Sequence, residues 1–245
     1  MTTIRVMTYN IQRCRGGDGR SDPDRIREVI AAGAPDIVAL QQVSTLPAQN
    51  QLQQLGERLG MHCYPGLPGP AGNAFLSYHP LRGIQEFDLG GDCSVLRADV
   101  DLGGKRLHLF NLRLETTPRL RRQQIDYLLG PTLLGNRCLT CPTLVLGDFG
   151  DLFWGPGNVS LNMGLRRAPR PLWHGTYPSR FPVAGRDRAY LKGDLRILHT
   201  AIDRHALARE ASSHLPLTLT LQIIDPRNYL RLEKLNRNRM EIAPG

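Results

Sequence analysis

The sequence predicts an α/β domain. Strand and helix signals alternate through most of the chain, short apolar runs end on polar or turn residues, and at 41% hydrophobic content the 245 residues can bury a large core. The first strand is Ile4 to Asn10. In the SDPDRIREVIAAG stretch, Asp22 can cap a helix that carries Pro23 at its first position and is closed by Gly33. DIVALQQ follows as a buried strand, then a helix from Pro47 to Gly60 with Leu52, Leu55 and Leu59 on one face. NAFLSY and SVLRADVDL read as strands, and KRLHLFNLRL returns antiparallel after the Gly103–Gly104 turn. PRLRRQQIDYLL reads as a helix leading into the strand TLVLGDF. Gly155 to Pro182, rich in Gly, Pro and Arg, reads as a long surface loop region, and AYL, LRILHTAI and LPLTLTLQII supply the last strands.

No repeat or linker divides the chain, so residues 1–224 read as one domain and residues 225–245 as a basic C-terminal extension with a short helix after Pro226. No run approaches the roughly 18 apolar residues of a membrane helix, and no apolar signal segment opens the chain, so no membrane partner and a cytoplasmic location are expected. The five cysteines are odd in number and scattered, a poor disulfide framework. Cys138 and Cys141 form a CLTC pair without the second ligand pair that a structural zinc site needs, and read as ordinary thiols.

The net charge is +9, carried almost wholly by arginine. That balance suits a phosphate-rich partner and equally reflects a coding bias. Arg119, Arg121 and Arg122, the group Arg166, Arg167 and Arg170, and the extension could follow a nucleic-acid backbone, although no aromatic platform is interleaved with them. Trp154 and Trp173 flank the loop region, where packing and lining a pocket mouth are both open.

The ends of the apolar runs carry a more specific signal. TYN (Thr8–Asn10), PDIVALQQV (Pro35–Val43), GNAFLSYHPL (Gly72–Leu81), FNLRL (Phe110–Leu114), RRQQ (Arg121–Gln124), LGDFGD (Leu146–Asp151), TYPS (Thr176–Ser179), RDRAYL (Arg186–Leu191) and SSHLPL (Ser212–Leu217) occur in an order that resembles the endonuclease/exonuclease/phosphatase superfamily. The resemblance covers Ile4 to Leu221 and implies two packed sheets with outer helices, an α/β sandwich whose site lies at one rim. It also implies magnesium-dependent cleavage of phosphate esters, with Asn10, Asp148, Asp187 and His214 at matching catalytic positions.

Four positions depart from that pattern. Gln42 stands where the family has its metal-binding glutamate, Arg113 replaces a catalytic histidine, Gly150 an orienting asparagine, and Ser213 the aspartate taken to be the partner of His214. Gln42 offers magnesium a neutral amide oxygen, so the metal site formed by Gln42 and Asp148 is expected to be weak or lost. Ser213 is expected to leave the protonated form of His214 without support. Arg113 adds a permanent cation with a fork that suits phosphate oxygens. Glu115, two residues on, could act as a substitute ligand, with an ion pair to Arg113 favoured. Local charge thus shifts toward positive. The expectation is a pseudoenzyme whose cationic pocket takes a phosphate-bearing ligand or a nucleic-acid backbone; the alternative is a rewired metal-dependent phosphodiesterase or nuclease.

Overall fold

The computed structural model describes residues 3–46, 50–151, 157–169 and 175–224. Two six-stranded sheets stack face to face. The first runs in the order β11 (Leu195–Ile202), β12 (Leu217–Ile223), β1 (Thr3–Asn10), β2 (Ile37–Val43), β4 (Gly72–Ser77) and β3 (His62–Pro65). The second runs β5 (Leu81–Gly90), β6 (Cys93–Leu102), β7 (Lys105–Arg113), β8 (Thr143–Asp148), β10 (Asp187–Lys192) and β9 (Arg166–Arg167). Each sheet holds one parallel pair at its centre, β1 with β2 and β7 with β8, and every other pairing is antiparallel.

Strand alternation builds three apolar layers. Ile4, Val6, Ile37, Ala39, Leu107, Leu109, Leu144 and Leu146 face inward and fill the space between the sheets. Residues of opposite parity face helices instead. Met7, Tyr9, Val38 and Leu40 pack on α1 (Pro23–Gly33), α2 (Gln51–Leu59) and α5 (Ala206–Ala211), while Phe110, Leu112, Val145 and Tyr190 pack on α3 (Pro118–Leu129) and α4 (Gly157–Gly164). The alternating signals therefore become a two-sheet sandwich with outer helices.

Several local expectations hold. Asp22 caps α1, its side chain accepting from the Asp24 and Arg25 amides, with Pro23 at the first helical position. The turn out of α1 is made by Ala34 at φ 42°, one residue beyond Gly33. Helix α2 begins at Gln51, and residues 47–49, from which its start was expected, lie outside the described residues. The segment from Gly155 to Pro182 is not all loop: α4 forms because Leu161 and Leu165 have the α3 face to bury against, and β9 pairs with β10. Trp154, Trp173 and residues 225–245 lie outside the described residues. All five cysteines are free, Cys138 exposed and Cys141 half-buried. No helix among the described residues is long and apolar enough to cross a membrane.

Candidate functional site

The parity that fills the core also builds the site. Along β1 the inward series Ile4, Val6 continues to Thr8 and Asn10; along β2 it reaches Gln41, along β7 Asn111 and Arg113, and along β8 Asp148. At one rim, therefore, the inward rows change from apolar to polar. A layer of buried amides lies beneath the site: Gln41 Nε2 donates to Asn111 Oδ1 (2.7 Å) and Thr8 Oγ1 (3.0 Å), and Asn111 Nδ2 donates to the Leu40 and Ala74 carbonyls. These bonds stitch the two sheets together. Above them Arg113, Asp148 and Asp187 stand side by side in register across β7, β8 and β10.

Asp148 is fully buried at the end of β8. Its Oδ2 accepts from Asn10 Nδ2 of the opposite sheet at 3.0 Å, and its Oδ1 from the Gly150 amide at 2.9 Å. Arg186 closes on it with both edges of a fork, Nε to Oδ1 at 3.1 Å and Nη2 to Oδ2 at 2.9 Å. The Arg186 guanidinium also lies over the Tyr177 ring, 4.7 Å from its centroid, and the same ring lies 4.8 Å from the His214 ring, centroid to centroid. Burial raises the pKa of Asp148, but His214 and Arg186 outweigh it and hold the carboxyl below its usual range.

His214 has a carboxylate partner. Its Nδ1 lies 2.9 Å from Asp187 Oδ2, and its Nε2 faces Asp148 Oδ2 at 3.9 Å. The expected loss of support through Ser213 is therefore corrected: Asp187, at the start of β10, fills that place, and the Ser213 hydroxyl is buried without a hydrogen-bond partner. Burial pushes the histidine toward its neutral form, yet Asp187 and Asp148 prevail and its pKa is raised. The TYPS segment frames this pair. Thr176 Oγ1 accepts from the Asp187 amide, the Thr176 carbonyl from the Leu215 amide, and the Ser213 carbonyl from the Ser179 amide.

The raised pKa has a consequence for stability. Because the folded pKa of His214 lies above its ordinary value of 6.5, protonation favours the fold, and this contribution is complete below that value and lost as pH rises through the folded pKa. Asp148 acts oppositely, its contribution being present above 3.8 and lost as pH falls below it. Denaturant melts of the native chain and His214→Gln should show the histidine contribution shrinking over the interval above pH 6.5. A native chain that gains stability over the variant across that interval would contradict the assignment.

Gln42 and Arg113 belong to an open cleft beside this buried cluster. Gln42 sits at φ 53° in a bulge between Gln41 and Val43, which turns it out of the alternation of β2. The cleft, about 580 Å³, is lined by Gln42, Arg13 and Arg113 on the one hand and Glu86, Asp88 and Asp92 on the other. The expected cationic pocket is thus corrected to a cleft of mixed charge with an arginine end. Arg113 Nη1 donates to the Asp92 carbonyl at 3.3 Å, and no ion pair joins Arg113 to Glu115. Glu115 lies beyond the end of β7 and accepts from the Thr116 amide instead. Arg121 is turned inward, to Asp151 at 2.6 Å and the Thr116 carbonyl at 2.8 Å, so it is not part of an exposed arginine track.

The place of the family asparagine is closed. Gly150 has φ 68°, and a Cβ there would lie 2.3 Å from the Glu115 carbonyl oxygen and 2.7 Å from that of Leu114. Glycine is what this turn accommodates. Arg186 and Tyr177 were missed by sequence reasoning, although each lies within a motif quoted above, because nothing in the spacing marks them.

These features define a two-sheet α/β sandwich with a buried aspartate, histidine and arginine cluster at one rim. The model of the Endonuclease/Exonuclease/phosphatase family matches residues 7–214, and the chain belongs to that family. The fold is similar to the endonuclease/exonuclease/phosphatase from Bacteroides vulgatus (TM-score 0.76, 18% identity, 91% of this chain and 100% of that one). It is also similar to the human Nocturnin catalytic domain with bound sulfate anion (0.72, 20%, 91% and 94%) and to D. rerio TDP2 complexed with single strand DNA product (0.72, 16%, 91% and 100%). No curated protein sequence matches at a significant level.

The family is generally divalent-metal dependent, and Asp148, Asp187 and His214 do offer ligand atoms within 4.8 Å of one another. Magnesium does not fit them as they are arranged. Both oxygens of Asp148 are engaged by Arg186, Asn10 and Gly150, and Asp187 Oδ2 by His214. What remains is Asp187 Oδ1 and the His214 Nε2, which faces the Asp148 carboxylate. Magnesium prefers oxygen donors in near-octahedral array and dehydrates reluctantly, and a guanidinium already occupies the face of Asp148.

Proposed function

We propose that this chain binds a phosphate-bearing ligand at the arginine end of its rim cleft and is an impaired or inactive member of its family, a pseudoenzyme. The observation that carries this reading is the bidentate Arg186–Asp148 pair, which removes the carboxylate that a metal would need. Gln42 and Arg113 act in the same direction: one withdraws a negative charge and the other supplies a fork for phosphate oxygens. Asp148 then serves as an internal counter-ion, and Arg113 supplies the ligand's charge-assisted hydrogen bonds. The similar folds that carry sulfate or a DNA product support an anionic ligand, and a nucleic-acid backbone is one member of that class.

A second reading, a rewired phosphodiesterase or nuclease, is favoured by one specific observation. The Asp187–His214 pair keeps an imidazole oriented, beside two carboxylates that favour its charged form, in the way that stabilisation of a developing phosphoryl charge requires. Turnover of a panel of phosphodiesters and phosphomonoesters, with magnesium, manganese or EDTA, distinguishes the readings for the native chain and Asp148→Asn. Equal background in both is the expected result; metal-dependent turnover lost in the variant would establish the second reading instead.

A further inference from the structure

We infer that Arg186 stands in for the divalent metal: a tethered cation that bridges Asp148 to the ligand's phosphate, deepening the phosphate-binding reading on which it rests. A metal in such a site joins a carboxylate to a phosphoryl oxygen. Arg186 already makes the first half of that bridge through Nε and one N–H of Nη2. A guanidinium carries five N–H donors, and no other acceptor among the described residues takes the remaining three. The side chain is 12% exposed, and Asp148, to which it is bound, is the register partner of Arg113, so Arg186 borders the arginine end of the cleft without lining it.

The surroundings fix the cation in place. Tyr177 lies under its plane, and the chain enters β10 at the next residue, Asp187, which is held by Thr176 and His214. The Arg186 carbonyl accepts from the Phe149 amide at 2.9 Å, locking the two rim turns together. Charge bookkeeping agrees. A metal bound by two carboxylates has become an arginine bound by one, with Gln42 neutral in place of the second.

The experiment uses inorganic phosphate as the probe and the full chain in EDTA. Calorimetric titration of the native protein, Arg113→Ala, Arg186→Gln and Arg186→Lys gives the phosphate affinities, and thermal melts with manganese report metal binding without any assay of activity. The native chain is expected to bind phosphate and to show no manganese-dependent stabilisation. Arg186→Gln should lose about tenfold or more in phosphate affinity, as expected for charge-assisted hydrogen bonds, and should acquire manganese-dependent stabilisation through the freed Asp148. Arg186→Lys keeps the charge without the fork, so it should lose affinity and still exclude manganese. If phosphate binding depends on Arg113 but Arg186→Gln binds as the native chain does, the inference fails and the phosphate-binding reading stands. If the native chain binds no phosphate, that reading fails and the inference with it. Manganese stabilising the native chain through Asp148 overturns the inference even if Arg186→Gln does not fold.

Discussion

Asp148→Ala lowers the stability of the fold by about 3–5 kcal/mol, because it strands a guanidinium that is nearly buried. Asp148 is fully buried, and its side chain takes two bonds from Arg186 and one each from Asn10 and Gly150. Removing it leaves an uncompensated charge and four unpaired donors in a site closed to most solvent. For a chain of this size the loss corresponds to a fall of roughly 6–20 °C in melting temperature. The double variant Asp148→Leu with Arg186→Met removes both charges and should recover most of the loss, since replacing a buried pair by apolar groups costs far less than breaking it. Denaturant unfolding of Asp148→Leu, Arg186→Met and the double variant completes the cycle. A single variant as stable as the native chain would show that the pair does not anchor the rim.

Arg113→Ala should weaken phosphate binding by about 10–100-fold, the range that hydrogen bonds to a charged group supply. Arg113 lines the cleft, makes one hydrogen bond among the described residues, at 3.3 Å to the Asp92 carbonyl, and sits on β7 in register with Asp148. Arg113→Lys should recover only part of the affinity, because a point charge replaces a fork. Affinity should fall with added salt, and more gently in the alanine variant, which has one cation fewer facing the ligand. Unchanged phosphate affinity in the alanine variant would remove Arg113 from the binding site.

Much of the rim was legible in the sequence because its residues terminate strands. An apolar run ending on TYN or LGDF places Asn10 and Asp148 at a sheet edge, and the fold brings Asn10, Asp148, Asp187 and His214 together. Partners distant along the chain were not legible. Asp187 pairs with His214 across 27 residues, so assigning the neighbouring Ser213 to that role followed adjacency where topology decides. Arg186 meets Asp148 across 38 residues and is one arginine among many, with no spacing to distinguish it. The two-residue rule failed for Glu115 because strand geometry stops at Arg113. Edge strand β5 was unreadable for a related reason: it is mostly exposed and lacks the apolar alternation that marks a strand. The short helix α4 was hidden in a Gly-rich segment and is stabilised by packing on α3 rather than by its own propensity.

The central claim is that an arginine-based site recognises phosphate without a metal. Its most direct test is calorimetric titration of inorganic phosphate into the native chain, once in EDTA and once in magnesium. The account predicts the same affinity in both. Binding that appears only with magnesium, and disappears in Asp148→Asn, would contradict it.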